Sequence, residues 1–518
     1  MKNVFFNEDF AAVEKNIFTS LKIPSLTLME NAGKNSAEFI FKHFPELMKN
    51  EIIIITGKGN NGGDGFVIAR WLGTNKIKVK VLMLYDKVDL KGDALTNFGL
   101  LEKSKFEDLK IVYCENEHSV KNEISSEHKL IIDSIFGIGF KGELSENFKK
   151  IFDFVNGLPD KTLIAVDIPS GMYSNHQKAS CIKADLTLTM GAKKFETLFY
   201  EGREACGKIE IISIGINNEE FSKHNSKKIF ETEDTDIKNI LPIRKINSHK
   251  YTNGKVFILS GSRGLTGAAY LCSQAALRAG TGAVIVGIPE SINDIMEIKL
   301  TEVMKLSLEE TNEMTLSLRA YEKIIPKLNW SDCVLIGPGI SKNKETLELV
   351  RKVVSENDVN YVIDADAISA FKNCLSLFRN KKIILTPHFG EFAFLLNIEA
   401  EELKNDFYNI AKKFTEEYDI TLVLKNSPAI ISNGNELYIN STGRENLATA
   451  GTGDVLSGII AAVYSQLKDP LQSAIAGTYI HGNCGDNLYR KFGASSMIAS
   501  DLINEIPNVK NNLLKIEN

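Results

Sequence analysis

Short runs of β-branched and apolar residues recur along the first part of the chain, at Ile52–Thr56, Val79–Leu84, Ile111–Cys114, Leu130–Asp133, Leu163–Asp167, Leu186–Met190 and Ile209–Ile214. Stretches of helical character separate them. Strands buried on both faces need no polar alternation, so continuous apolar runs that alternate with helices predict a parallel sheet covered on two sides. From Asn217 to Asn247 the chain is rich in Glu, Lys and Asp and poor in residues of the buried kind until Ile240-Leu241-Pro242, which reads as a linker. The alternation resumes at Val256–Ser260, Ala283–Gly287, Cys333–Ile336, Tyr361–Asp364, Lys382–Leu385 and Thr421–Leu424, and ends in long helices after Asp454 and Pro470. The pattern predicts two α/β domains, 1–217 and 248–518, joined by a linker over 218–247, with no internal repeat between the halves.

Composition narrows the partners. A chain of 518 residues is too long for one core, and 43% apolar content with 25% charged residues describes a globular protein. The net charge of −5 leaves no basic footprint, so a nucleic-acid partner is not expected. The seven cysteines are scattered without a C-x-x-C pair, neither a disulfide framework nor a zinc site, and fit a reducing cytoplasm. No apolar stretch reaches membrane-spanning length, and Met1 to Phe10 carries two acids in place of a signal-peptide core. A cytoplasmic protein without a membrane partner is expected.

The strongest chemical signal is Gly451-Thr452-Gly453-Asp454, followed by the apolar run Val455–Val463. Two glycines let backbone N–H groups turn onto an anion at a helix start, where the dipole also favours negative charge. Asp454 beside that anion hole can take a proton from a hydroxyl, the pairing phosphoryl transfer needs. Alone, the tetrapeptide reads first as a helix start with Asp454 as cap. Its company changes the balance. Gly261-Ser262-Arg263-Gly264-Leu265-Thr266-Gly267-Ala268, Gly337-Pro338-Gly339, Asp364-Ala365-Asp366, Thr386-Pro387-His388 and Lys425 all follow predicted strands. In open α/β sheets ligands bind outside the carboxyl ends of strands, and a strand-end lysine commonly serves a phosphate. Asp364 and Asp366 could face a sugar or a magnesium-bound phosphate. The set describes a nucleotide-dependent site for a hydroxylated small molecule.

These motifs, with His249-Lys250, Gly390-Glu391 and Leu424-Lys425, resemble in order the ADP-dependent NAD(P)H-hydrate dehydratase family, a ribokinase-like branch, across nearly all of 248–518. The resemblance implies that the S hydrate of NADH or NADPH (NADHX, NADPHX) is phosphorylated by ADP and then loses phosphate, with Mg2+ as cofactor. It implies Asp454 as base, Gly453 against AMP, Ala268, Gly339 and His388 at the hydrate, and Lys425, Asn426, Ser427, Pro428 and Ala429 around the adenylate phosphate. Two positions depart from the family's glycines, Asn426 after the strand-end lysine and Ala450 ahead of the tetrapeptide. Tyr251 stands where the family has a third glycine.

In the first half Ile52–Thr56 feeds Gly57-Lys58-Gly59-Asn60-Asn61-Gly62-Gly63-Asp64-Gly65, five glycines in nine residues, ahead of a predicted helix. Bare backbone of that kind wraps a pyrophosphate or a cation. Asp133-Ser134-Ile135-Phe136-Gly137-Ile138-Gly139 and Val166-Asp167-Ile168-Pro169-Ser170-Gly171 bring hard oxygen ligands to the same rim, suited to an alkali or alkaline-earth cation. With Leu28-Met29-Glu30-Asn31-Ala32-Gly33 and Gly191-Ala192-x-Lys194, these motifs resemble the NAD(P)H-hydrate epimerase family over roughly 1–215. That resemblance implies a Rossmann-like domain interconverting the R and S hydrates. It implies K+ on Asn61, Asp133 and Ser170, and the hydrate against Asn60, Asn61, Gly62, Gly63, Asp64, Gly137, Ile138, Gly139, Phe140, Lys141, Gly142, Glu143 and Asp167, with Asp167 moving the proton. Lys193-Lys194-Phe195-Glu196 replaces a proline-bearing stretch of that family.

The expectation is a homo-oligomeric bifunctional enzyme: a Rossmann-like doubly wound epimerase domain ahead of a ribokinase-like α/β dehydratase domain. The alternative is a ribokinase-like, ATP-dependent vitamin-precursor kinase with a non-catalytic N-terminal binding module.

Overall fold

The computed structural model of the chain describes residues 1–172 and 180–515. It divides into two compact units at Lys227/Lys228, with Met1 grouped with the second.

The strands of the first unit are β1 (Lys2–Phe5), β2 (Ile52–Thr56), β3 (Val79–Met83), β4 (Leu109–Tyr113), β5 (Leu130–Ser134), β6 (Thr162–Val166), β7 (Leu186–Met190), β8 (Lys193–Lys194) and β9 (Lys208–Ile212). Seven of them form one parallel sheet in the order β4-β3-β2-β5-β6-β7-β9. The chain winds outward from β2 to β4 and then returns to β5, so the direction of winding reverses between β2 and β5. A crevice opens at such a switch point, outside the carboxyl ends of the strands. Ile52 to Ile55 are fully buried, with even-numbered side chains in one face cluster and odd-numbered ones in the other, which is why β2 carries no polar alternation. β1 pairs in parallel with β8 and brings the helix Asn7–Leu21 to this unit.

The strands of the second unit are β10 (Ile229–Glu231), β11 (Lys255–Leu259), β12 (Ala283–Pro289), β13 (Met304–Leu308), β14 (Cys333–Ile336), β15 (Asn360–Ile363), β16 (Lys382–Leu385), β17 (Thr421–Leu424), β18 (Ala429–Ser432) and β19 (Leu437–Asn440). Their order is β13-β12-β11-β14-β15-β16-β17-β18-β19-β10. Pairing is parallel from β13 through β17, antiparallel to β18 and β19, and parallel again to β10. The helices Thr452–Leu467 and Pro470–Phe492 belong to the main core cluster. The first is buried at every residue from Val455 to Ser465, as expected of a helix without a polar face.

The stretch read as a linker is ordered. It contains a helix Asn218–His224, then β10, then a helix Asp234–Ile240. Phe221 packs into the core of the first unit, and Ile229 and Ile237 are fully buried in the second. One or two apolar residues per element were enough because each meets an existing core, and the polar composition concealed them. β13, β18 and β19 also went unpredicted. Among the described residues, no helix is long and apolar enough to cross a membrane.

Fragments 1–227 and 228–518 should each fold, whereas 240–518 removes Ile229 and Ile237 from the second core, a loss of about 1.5–3 kcal/mol for each side chain. Urea unfolding of 228–518 and 240–518 measures the difference, and equal midpoints would show that β10 and its helix are dispensable.

Candidate active sites

At the switch point of the first unit, a cavity of about 780 Å³ is lined by Asn60, Asn61, Asp64, Gly137, Ile138, Gly139, Phe140, Lys141 and Asp167, together with Lys58, Met29, Glu14 and Phe10. Gly62 and Gly63 do not line it. A Cβ at Gly62 would collide with the Gly57 carbonyl, and one at Gly63 would meet Met29 Sδ, so these glycines permit the helix start to pack close. Gly142 and Glu143 are exposed beyond Lys141.

Asp133, at the end of β5, is 1% exposed and accepts from Ser170 N–H at 2.8 Å, Ser170 Oγ–H at 2.6 Å and Ile135 N–H at 3.2 Å. Burial nevertheless pushes its carboxyl up to about 6 against those hydrogen bonds. The Asn61 side chain is 7% exposed, and neither its oxygen nor its nitrogen has a partner. Its carbonyl is held by Ser134 Oγ. A buried amide without a partner, on the same rim as Asp133 and Ser170, leaves its polar atoms available to a ligand. Among the described residues no three His, Cys, Asp or Glu cluster as a multivalent-metal site.

Asp167 occupies the left-handed region, with φ of 67°, just past β6. Its Oδ1 accepts from Lys194 Nζ at 2.6 Å and from the Met190 N–H at 3.3 Å. Lys194 is fully buried on β8 and also donates to Thr189 Oγ1 at 3.0 Å and the Met190 carbonyl at 2.9 Å. Where the sequence departs from the family's proline-bearing stretch, the chain forms the short strand Lys193–Lys194, and Lys194 holds Asp167.

In the second unit Gly451 takes φ of 88° and caps the helix Thr452–Leu467, putting Asp454 in its first turn. The left-handed φ favours glycine there, and a Cβ at Gly451 would also have to displace the Leu271 side chain. A Cβ built on Gly453 would lie 3.7 Å from Lys425 Nζ, which places the anion hole beside the lysine at the end of β17. Lys425 Nζ donates to Asp364 Oδ1 at 2.9 Å and lies 3.7 Å from Glu391. Burial works against the Lys425 charge, but Asp364 and Glu391 outweigh it and raise its pKa. Asp364, 1% exposed, also accepts from Thr386 Oγ1 at 2.8 Å. Burial, with Asp364 adding and Lys425 opposing, pushes the Asp454 carboxyl up to about 7.

The other expected residues gather at the same rim. Gly339 packs on Ala268, a Cβ there falling 2.9 Å from the Ala268 Cβ, and Ser262 Oγ donates to the Gly339 carbonyl at 2.9 Å. His388 is exposed and caps the helix Phe389–Leu396, and its neighbour Pro387 accepts from the Lys425 N–H at 2.8 Å. Asn426 and Ser427 lead to the buried Pro428 and to Ala429 at the start of β18. Ala450 is exposed. His249-Lys250 lies elsewhere, ahead of β11 with the Lys250 carbonyl packed on Gly282 at the amino end of β12.

A family model described as NAD(P)H-hydrate dehydratase matches residues 256–508, and one described as YjeF-related protein N-terminus matches 25–195. The bifunctional NAD(P)H-hydrate repair enzyme Nnr of Moorella thermoacetica is 36% identical over 499 residues, covering 95% of this chain and 93% of the relative. The chain belongs to the bifunctional NAD(P)H-hydrate repair enzyme family. The member from Methanocaldococcus jannaschii is 31% identical, covering 98% of this chain and 94% of its own. Among solved structures, the ADP/ATP-dependent NAD(P)H-hydrate dehydratase of Bacillus subtilis, co-crystallised with ATP and Mg2+, is 26% identical, with a TM-score of 0.49 over 55% of this chain and 99% of its own.

Sequence reasoning missed Glu14, although the carboxyl lines the first cavity, and it missed His481. His481 is buried in the helix Pro470–Phe492 and bonds the Thr452 carbonyl through Nε2 at 2.9 Å, bracing the glycine-opened helix start. Burial lowers its pKa to about 4, so it braces that helix as a neutral ring.

Replacing Lys194 by Met leaves the desolvated Asp167 carboxylate unanswered and should destabilise the first unit by about 3–5 kcal/mol. Adding Asp167→Asn, which tolerates the left-handed backbone, should recover part of that loss. Denaturant unfolding of 1–227 tests both, and a Lys194→Met midpoint equal to the parent's would refute the role of the pair.

Proposed function

We propose that the chain repairs hydrated NADH and NADPH in two reactions, epimerising the R and S hydrates in the first unit and dehydrating the S hydrate with ADP in the second. The observation that carries this reading is the presence on one family-typical chain of two strand-end sites with different chemistry. One pairs carboxylates with an unpartnered amide in a cavity, and the other sets a carboxyl at a glycine-opened helix start beside a lysine.

In the second site Asp454 takes the proton of the hydroxyl at nicotinamide C6. The freed oxygen attacks the β-phosphorus of ADP, and the bond to AMP breaks. Lys425 and the N–H group of Gly453 face the charge that develops on the transferred group, while the Thr452 N–H is taken by the Thr449 carbonyl at 3.3 Å. The phosphate ester then loses phosphate from C6 and a proton from C5, giving the C5=C6 double bond of NADH or NADPH. Mg2+ would enter with the nucleotide phosphates, near Asp364 and Asp366, and would neutralise their charge. In the first site K+ on Asn61, Asp133 and Ser170 would supply a fixed positive charge next to the hydrate. We place the enzyme in the cytoplasm, where its free thiols persist, as a homo-oligomer. The kinase alternative draws no support from relatives that match both units.

The deciding assay supplies mixed NADHX epimers with ADP or ATP and follows the returning dihydronicotinamide absorbance together with AMP and phosphate. Complete conversion with AMP formation is expected, and a stable phosphoester without recovered NADH would refute the reading. Asp454→Asn should lower dehydration by roughly 10²-fold or more and spare epimerisation. The parent's dehydration should rise with pH through about 7, because Asp454 acts as the base only after losing the proton that burial helps it keep.

Asp133→Ala should weaken the response of epimerisation to potassium while S-hydrate dehydration stays at the parent rate. A potassium titration of R-hydrate turnover checks this, and an unchanged half-saturation would remove Asp133 from the cation site.

A further inference from the structure

The helix Asn7–Leu21 turns Phe10, Val13 and Ile17 into the core of the first unit. Glu14 stands four residues after Phe10 and three before Ile17, so it shares their face. A carboxyl on a buried stripe costs desolvation unless something answers it. Among the described residues Glu14 has no hydrogen bond and no ion pair. Lys194 senses it, but the three donors of that ammonium already reach Asp167, Thr189 and Met190. Glu14 instead lines the cavity together with Asp64, Asp167 and the unpartnered amide of Asn61.

Resting on the epimerase reading above, we propose that Glu14 is a second proton-transfer group of this cavity and works as the partner of Asp167 on the hydrate ring. The two carboxyls have opposite surroundings. Asp167 is held by an ammonium and an N–H, whereas burial, with Asp167 adding and Lys194 opposing, pushes the Glu14 carboxyl up to about 7. A carboxyl held by donors, across one cavity from a carboxyl with none, is the arrangement of a base and an acid. Asp64, beside them, has its carboxyl raised well above its usual range, first by burial and then by Asp167 and Glu14. Lys58, Asp93 and Lys141 are the remaining charged groups of the wall.

The carbon to be inverted, C6, bears both the hydroxyl and ring nitrogen N1, so it can open as a hemiaminal does. Asp167 takes the hydroxyl proton, the oxygen lone pair forms C6=O, the C6–N1 bond breaks, and N1 takes the proton of Glu14. Rotation about C5–C6 presents the other face of the aldehyde. On closure Glu14 recovers the N1 proton, N1 attacks C6, and the carbonyl oxygen takes its proton back from Asp167. Both carboxyls return to their starting states, and no other reactant is consumed.

The test uses the full chain with R-NADHX and ADP. Glu14→Gln keeps the shape and removes the proton, so epimerisation should fall roughly 10²-fold while S-NADHX dehydration holds. The parent's epimerisation should decline as pH rises above about 7, where Glu14 loses the proton it donates, and the residual activity of Glu14→Gln should lack that decline. Its melting temperature should not drop, since no native bond is lost. Epimerisation close to the parent's with the same pH profile would overturn the proposal, as would a loss that follows a lowered melting temperature with the profile unchanged. If Glu14→Gln does not fold, Glu14→Asp decides: a displaced alkaline limb supports the role and an unmoved one refutes it. A parent that fails to epimerise at all would refute the epimerase reading itself, which separates the two failures.

Discussion

The interaction on which both sites depend is a lysine–aspartate pair at the carboxyl ends of parallel strands. Lys194 with Asp167 serves the first unit and Lys425 with Asp364 the second. Each aspartate sits where a parallel sheet, covered by helices, leaves little water, and an unanswered carboxylate there would be protonated or would unfold the rim. Such pairs contribute little net stability, because desolvation of both charges offsets their attraction. Their effect is placement. With Asp167 tied to β8, and Asp364 tied to β17 and to Thr386 at the end of β16, the strand ends hold fixed positions, and burial raises the carboxyls of Glu14 and Asp454, which no lysine holds by an ion pair among the described residues, to about 7.

How far this was legible in the sequence follows from burial. The central strands announced themselves because a strand covered on both faces must be apolar throughout, as Ile52 to Ile55 and Thr421 to Leu424 are. β13 carries Lys305 and Ser307 on a half-buried edge, and β18 and β19 end on the polar Ser432 and Asn440, which break their short apolar runs. The stretch after Asn217 was misread for the same reason. Its elements each contribute one or two buried side chains to a core built elsewhere, and composition averaged over thirty or so residues hides them.

The site residues divide along another line. Asp454, Lys425, Asp364, Asp133 and Asp167 follow strands or glycine turns, so local pattern alone puts them at the rim. Gly62 and Gly63 were grouped with the ligand contacts because a glycine loop suggests backbone facing a ligand; here these two face Gly57 and Met29 instead. Glu14 was invisible because Glu8, Asp9, Glu14 and Lys15 along one amphipathic helix look like a solvated face, and only the fold shows that one of the four lies on the apolar stripe.

The same electrostatic arrangement suits two unlike reactions because both act on one functional group, the hydroxyl at C6. Opening the hemiaminal needs that proton removed and another delivered to nitrogen, so the first site requires two carboxyls in different states within one cavity. Phosphorylation needs only the removal, with positive charge waiting for the transferred phosphoryl group, so the second site has one free carboxyl and backs it with a helix start and a lysine. Neither arrangement could do the other's work. Asp454 stands beside donors that would stabilise an anion and not beside an acid that could protonate N1, while the first cavity sets two carboxyls together where an acid and a base are needed. Because hydration yields both epimers, a chain carrying only the second site would leave one of them to a separate epimerising activity, and here the two demands are met by two sites of different charge.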